Sequence, residues 1–381
     1  MFDVAVIGAG LAGLQCSRLL ALRGLRVLLV DRKASVADGI TTTGIFVRKT
    51  WEDFPLPDEQ LGRAIRDVRL YSPARRMLAL TAAQDEFRIG RMAWLSLFLL
   101  EQCTRAGVVW RPATRLSACE PRGDDGVGLV LEHGRRSETL NARYLVGADG
   151  PRSFVARAFG LDRNREMLVG LEDVFASAPA GPPALHCYLD PRLAPGYIAW
   201  VAHDGEETHV GVGGYRERFD PAAALAAFRS SLAGQIDLRG PAIERRGGLI
   251  PVGGILRRIA CRHALLAGDA AGAVSPLTAG GLDPALRLST LAAEVVAAYL
   301  DVGDPSVLAQ YSGDRFRARF IARKWMRRLI SSVRSPLAME LGCAFLRTAP
   351  LRALASHVFF GRGSFPDVAP LAKTALVDPS A

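Results

Sequence analysis

The chain has 381 residues, 49% of them hydrophobic and 23% charged, with a formal net charge of +10 at pH 7. That length buries a sizeable core and suits two closely joined domains, and the composition excludes a disordered chain. Four of the 48 basic residues are lysine (33, 49, 324, 373), so the charge reads as an arginine-rich bias spread along the chain, and nucleic acid is not an expected partner. Six cysteines (16, 103, 119, 187, 261, 343) lack CxxC or metal-ligand spacing and read as reduced, mostly core-filling thiols, with no metal expected. No apolar run is long enough to cross a bilayer. A first strand starting at residue 2 leaves no signal peptide before it, so the expected location is the cytoplasm.

Phe2 to Ile7 is a β-branched apolar run that reads as a buried strand. It leads into Gly8-Ala9-Gly10-Leu11-Ala12-Gly13, which opens a helix through about Arg23; a second strand, Leu25 to Val30, ends in Asp31. In this context GxGxxG has a mechanism: Gly8 for the tight turn, Gly10 for close approach of backbone N–H groups to a pyrophosphate, Gly13 for helix–sheet packing. The helix N-terminus favours the phosphates, and Asp31 is placed to accept from a ribose. Arg32 and Lys33 lie over adenine or phosphates, or are solvated surface charge. The loop from 34 to 43, followed by Gly44, sits where a long connection lines a site.

Val68 to Leu80 reads as a hairpin turning at Ser72-Pro73-Ala74, and a helix follows from Arg91 to Ala106. Arg91 opposes the helix dipole there, which suggests a partner such as a phosphate. Val108 to Trp110 begins a buried strand. Short antiparallel strands at 116–119, 128–132 and 138–140, with turns at Arg122-Gly123-Asp124-Asp125-Gly126 and His133-Gly134, read as an excursion on the face of a parallel sheet. Tyr144 to Ala148 is then a separate strand, ending in Asp149-Gly150-Pro151-Arg152-Ser153. From 165 to 262, apolar segments at 168–174, 184–189, 197–202, 209–214 and 245–251 read as a largely antiparallel sheet, with a helix from Pro221 to Leu232. His263 to Ala267 is a strand ending in Gly268-Asp269, and the loop through Gly280-Gly281-Leu282 enters a long helix to Leu300. The tail is helical and basic: residues 315–328 hold seven Arg or Lys and no acid, beside Phe316, Phe320 and Trp325. It is either a solvated face or a contact with a membrane surface.

Three segments, GAGLAG with Asp31, VGADGPRS (146–153) and LLAGDAAGAVSPLTAGGL (265–282), together resemble the FAD signatures of the p-hydroxybenzoate hydroxylase superfamily, which includes the geranylgeranyl reductases. The resemblance implies that Asp149 and Gly150 help hold the pyrophosphate region. Asp269, beside Gly268, would accept from the ribityl chain or ribose, and the helix entered through Gly280, Gly281 and Leu282 would face the flavin N1/O2 edge. As isolated residues both aspartates also suit turns or N-caps.

Pro276-Leu277-Thr278 and Pro195-Gly196-Tyr197-Ile198-Ala199-Trp200-Val201 resemble the geranylgeranyl reductase branch. Ala202-His203 replaces that branch's Phe-Pro, and Thr43-Gly44 its Cys-Gly-Gly near the flavin. Tyr197 and Trp200 are expected on a strand against the substrate, or in the core. No residue is singled out as catalytic; His186, His203 and His209 are acid/base candidates by type alone.

The expected fold is α/β, α+β over the whole chain: a Rossmann-like FAD-binding domain of the GR2 type with an inserted, mainly antiparallel β substrate domain and a helical C-terminal tail. The divisions are 1–67, 87–164 and 263–304 for FAD, 68–86 and 165–262 for substrate, and 305–381 for the tail. The expected function is an FAD-dependent oxidoreductase passing hydride to a carbon–carbon double bond of an apolar, isoprenoid- or lipid-like small molecule. The alternatives are an FAD-dependent monooxygenase acting with NAD(P)H and oxygen, and a flavin-carrying binding or regulatory protein. Gly211-Val212-Gly213-Gly214 and Gly361-Arg362-Gly363 lack strand–helix context, so NAD(P)H is expected as a transient donor. Oligomeric state is not legible.

Overall fold

The computed structural model describes residues 1–371 other than 124, 125, 178, 235, 237, 239, 362 and 364. The turn residues Asp124 and Asp125, Arg362 and the end of the C-terminal tail lie outside the described residues. Among the described residues the strands form two seven-stranded sheets and a two-stranded ribbon.

The chain opens with β1 (Phe2–Ile7), α1 (Leu11–Ala21) and β2 (Val27–Val30). The ribbon pairs β3 (Ile45–Val47), which runs into α2 (Arg48–Asp53), with a later strand. The hairpin β4 (Asp67–Tyr71) and β5 (Met77–Thr81) is followed by that later strand, β6 (Phe87–Ile89), and by α3 (Met92–Arg105). Next come β7 (Val109–Arg111), β8 (Thr114–Pro121), β9 (Val127–His133), β10 (Arg136–Gly147) and α4 (Phe154–Ala158). Strands β11 (Met167–Phe175), β12 (Ala184–Tyr188), β13 (Ala199–His203) and β14 (Thr208–Gly214) lead to α5 (Pro221–Ser231) and β15 (Glu244–Pro251). The chain then forms β16 (Ala264–Leu266), α6 (Leu282–Val302) and the terminal helices α7 (Asp314–Arg317), α8 (Ile321–Ser332), α9 (Pro336–Phe345) and α10 (Ala349–Phe360).

The first sheet runs β7-β2-β1-β10-β9-β8, with β16 also on β10. Residues 136–147 form one continuous strand, which corrects the expectation of two strands and of an excursion on the sheet face. The first half of β10 is antiparallel to β9; its last residues run parallel to β1 and β16. The meander is therefore an in-plane extension of the sheet. No glycine or proline interrupts 136–146, so nothing breaks the strand. Strand β7 is an edge with Val109 exposed, not the buried strand expected.

The second sheet runs β15-β11-β14-β13-β12-β4-β5. Its central strands β12, β13 and β14 are buried on both sides and read as apolar runs, whereas β4 and β5 alternate. Ala199 and Val201 of β13 join the core under α5, with Phe228 and Leu232. Trp200 and Ala202 face the other way, into a core shared with Leu70, Leu185 and Ala355 of α10.

Candidate functional site

The carboxyl ends of three neighbouring parallel strands bring the glycine-rich segments together. Gly8 N–H donates to Val30 O (2.7 Å), Ala148 N–H to Ile7 O (2.8 Å) and Ala267 N–H to Gly147 O (2.9 Å). This is the edge of an open α/β sheet where ligands bind. A Cβ on Gly13 would lie 1.8 Å from Gly8 O, whereas one on Gly10 would meet nothing within 4 Å. Gly13 is thus required by packing and Gly10 leaves room for something outside the protein.

A cavity of about 1310 Å³ opens along this edge. Of the residues singled out in the sequence, its wall includes Gly8, Ala9, Gly10, Leu11, Ala12, Asp31, Arg32, Lys33, Asp149, Gly150, Gly268, Asp269, Gly280, Gly281, Leu282, Tyr197 and Trp200. Gly13 lies behind the turn. Gly44 carries a φ of 87° and is not part of the wall.

Arg91 corrects the expectation of a phosphate partner. It lies off the wall, and its guanidinium is taken by Asp204 (2.6 Å), Glu206 (2.7 Å) and Glu207 (3.2 Å). The partner that the unfavourable helix position pointed to is carboxylate.

The acidic residues differ in how much capacity they have left. Asp31 accepts from Ala9 N–H (2.7 Å) and Lys33 N–H (2.8 Å), so it braces the glycine turn. Asp149 Oδ2 accepts from Phe154 and Val155 N–H (2.6 and 3.2 Å), the first two N–H groups of α4, whose N-cap is Ser153 rather than Asp149, while the buried Asp149 Oδ1 has no partner. Burial holds the Asp149 carboxyl above its usual range against those hydrogen bonds. Asp269 is half-buried and faces the cavity, and burial alone pushes its carboxyl up to about 6. An orphaned carboxylate oxygen and an unbraced carboxyl at the wall fit ligand hydroxyls, and the open space at Gly10 fits a pyrophosphate.

A stability consequence follows from Asp269. Its folded value lies above its unfolded one, so the apoprotein is expected to lose stability as pH rises from about 4 to about 6 and to stay lower above that. Asp269→Asn should therefore melt higher than wild type at pH 8 as apoprotein, yet retain flavin less well. Equal melting temperatures at pH 8 would contradict this.

The aromatic pair is seated by glycines. A Cβ on Gly211 would lie 2.2 Å from the Trp200 ring, and one on Gly213 2.7 Å from Tyr197. The glycine cluster at 211–214 is thus a seat for two aromatic rings. Tyr197 precedes β13 rather than lying on it, and its hydroxyl donates to Thr278 O (2.8 Å). Arg327 of α8 is buried, donates to Pro276 O and Gly196 O, and stacks 5.4 Å from the Tyr197 ring centre. One of the seven basic residues of the tail is therefore an internal strut joining the loop at 276 to the aromatic segment.

Sequence reasoning missed Glu172. It lies on the cavity wall at 3% exposure, accepting from Thr43 Oγ1 (2.5 Å) and Trp200 Nε1 (3.3 Å), with His209 Nδ1 3.4 Å away. A lone glutamate in a strand carries no motif; only strand register reveals it. His186 and His203 stand off the cavity, and burial pushes His186 down to about 4.

A family described as FAD binding domain matches residues 1–48 and 92–222. Digeranylgeranylglycerophospholipid reductase 1 of Methanopyrus kandleri is 30% identical over 349 residues, 84% of this chain and 87% of that protein. The solved structure of a geranylgeranyl bacteriochlorophyll reductase-like protein from Thermoplasma acidophilum superposes with a TM-score of 0.82 at 19% identity, covering 95% of this chain and 97% of the other. p-Nitrophenol 4-monooxygenase from Pseudomonas putida shares the fold at TM-score 0.65 and 17% identity, over 96% and 94% of the two chains. With its FAD signatures gathered on one sheet edge, the chain belongs to the p-hydroxybenzoate hydroxylase and geranylgeranyl reductase superfamily of FAD-dependent oxidoreductases.

Proposed function

We propose that the protein reduces carbon–carbon double bonds of an isoprenoid, lipid-like substrate. The observation that carries this reading is the continuity of the cavity. One space has the glycine turn and Asp269 in its wall and also Ile198, Trp200, Met326, Ile330, Val358 and Phe359. Its volume exceeds the range of about 300–1,000 Å³ typical of a single small ligand, which suits a cofactor beside an apolar chain. When bound, FAD supplies a hydride. Gly8–Gly13 and Asp31 would hold its diphosphate and adenosine half, Asp149 and Asp269 its hydroxyls, and the N-terminus of α6 the flavin's electron-rich edge. Tyr197 and Trp200 would position the substrate chain and exclude water. Arg323, on the wall with a single weak contact to Ser275 Oγ (3.5 Å), suits a polar anionic headgroup. NAD(P)H would reduce the flavin transiently.

The terminal helices support delivery from a membrane surface. Ile321, Trp325 and Leu329 of α8 are 56%, 64% and 71% exposed, and Leu337, Leu341 and Phe345 of α9 are 70%, 56% and 63% exposed. Both are i, i+4, i+8 stripes, facing outward, with Arg328, Arg334 and Arg347 among them. Leu346 and Leu354, next along, belong to the cavity wall. Trp325→Ser combined with Leu341→Ser should lower co-sedimentation with phosphatidylglycerol vesicles about tenfold or more, since each buried aliphatic or aromatic side chain contributes about 1.5–3 kcal/mol. Unchanged co-sedimentation, or a dimer burying these stripes in solution, would contradict it.

The reaction is tested by following NAD(P)H oxidation and oxygen uptake together while geranylgeranylated glycerophospholipid is added. Substrate-stimulated NAD(P)H oxidation without matching oxygen uptake supports the reductase. Oxygen uptake in step with NAD(P)H supports hydroxylation instead.

A further inference from the structure

The second sheet carries a line of ionisable groups from the cavity to the surface. Glu172 on β11 stands at the cavity wall. On the neighbouring strand β14, His209 is fully buried, with Nδ1 3.4 Å from Glu172 Oε1 and Nε2 3.5 Å from Glu207 Oε2. Nε2 makes no hydrogen bond, and the 3.5 Å separation to Glu207 has to close by a few tenths of an ångström for a proton to pass. Glu207 is 24% exposed and closes the line at the surface beside Arg91. Burying two such groups, Glu172 and His209, among valines and glycines is a poor way to stabilise a sheet, because desolvation offsets most of the Coulombic gain. Apolar residues there would hold the strands as well.

We infer that Glu172, His209 and Glu207 form a proton line that delivers to the cavity the proton consumed when a double bond is reduced. The inference rests on the reductase reading. Adding a hydride to one alkene carbon requires a proton on the other. At rest Glu172 is ionised and His209 carries the proton. As hydride adds to one alkene carbon, that proton crosses from His209 Nδ1 to Glu172 Oε1 and on to the other carbon, where the π pair forms the new C–H bond. Neutral His209 is then recharged from water through Glu207. The net input from solvent is one proton per double bond, and reduced FAD provides the two electrons. Thr43 Oγ1 and Trp200 Nε1 hold Glu172 Oε2 in place.

The groups facing this line come from every packed strand. Arg246 of β15, directly opposite Glu172, has Nη1 3.9 Å from Oε1 and donates to Thr42 O and Glu244. Asp204 and Arg91 flank Glu207. Burial opposes charging of His209, but the two glutamates outweigh it and raise its value. Burial likewise opposes ionisation of Glu172, yet His209, Thr43 and Arg246 hold it low.

The test compares flavin-loaded wild type with Glu172→Gln and Glu207→Gln. Both variants keep the side-chain size and an acceptor oxygen, so folding should survive. The first readout is the NMR titration of the His209 ring nitrogens, which needs no turnover. The expected result is an imidazolium persisting above pH 7 in wild type and a lower midpoint in each variant. The second is anaerobic flavin reoxidation by geranylgeranylated glycerophospholipid against pH. Glu172→Gln should slow it by about a hundredfold or more, and Glu207→Gln should move the fall in rate to lower pH. A neutral His209 at pH 7, or an unchanged rate and pH profile in Glu172→Gln, overturns the inference. If no protein, wild type included, is reoxidised by any alkene, the reductase reading fails, and the His209 titration alone decides whether the line holds a mobile proton.

Discussion

Gly10→Val is expected to leave a folded protein that retains no flavin. Gly10 precedes α1 with φ −74° and ψ 179°, backbone that any residue adopts, and a Cβ there meets no protein atom within 4 Å. The valine methyl groups would occupy the space over the helix N-terminus. The melting temperature of the apoprotein should stay close to wild type, while FAD affinity falls by about a hundredfold or more, or about 2.7 kcal/mol. Gly13→Ala is the contrasting case. Its Cβ would collide with Gly8 O at 1.8 Å, so it should damage the fold itself. Thermal melting and flavin fluorescence of both variants separate the two roles. Full flavin retention by Gly10→Val would remove the phosphate from that turn.

The second large effect concerns Arg287, which is 1% exposed and is the centre of a buried ion cluster. It meets Asp53 Oδ2 at 2.6 Å and Asp283 Oδ1 at 2.9 Å, and lies 5.3 Å above the Phe54 ring centre. The cluster ties α6 to α2, below the loop that enters α6. Arg287→Met leaves two carboxylates without their shared cation and should cost about 3–5 kcal/mol. Adding Asp53→Asn and Asp283→Asn should recover part of the loss. Burial opposes ionisation of Asp53, but Lys49 and Arg287 hold its carboxyl below its usual value. Its stabilising contribution is therefore complete above the unfolded carboxylate value and is lost as pH falls through the lowered folded one. Denaturant unfolding of the wild type at pH 8 and pH 5 should show no loss from this cluster, with the loss confined to more acid solution. A change below 1 kcal/mol in Arg287→Met would mean that the cluster contributes specificity rather than stability.

The parts of the molecule that were legible from sequence are those whose physics is local. Strand, glycine turn, helix and acid follow one another within about thirty residues at 2–31, and the turns after Gly147 and Leu266 repeat the same form. The gathering of three such turns on one edge follows from parallel pairing of β1, β10 and β16. What stayed hidden depends on register and tertiary packing. Glu172 and His209 are thirty-seven positions apart and meet only because β11 lies beside β14. Arg91 reads as a free cation until Asp204 and Glu207, more than a hundred residues on, are folded against it. Arg327 and Trp325 reverse the usual assignment on α8, with the arginine buried and the tryptophan exposed, because Arg327 finds two carbonyls and an aromatic face inside. The length of β10 was missed because polar Asn141 and Arg143 interrupt the apolar pattern, although no glycine or proline breaks the strand there.

A single anaerobic turnover tests the reductase reading most directly. Protein with chemically reduced FAD is mixed with geranylgeranylated glycerophospholipid in the absence of oxygen, and the flavin spectrum and product mass are followed together. The expected result is return of oxidised flavin together with a gain of two hydrogen atoms for each reduced double bond. Flavin that stays reduced until oxygen is admitted, with product then gaining an oxygen atom, would contradict it.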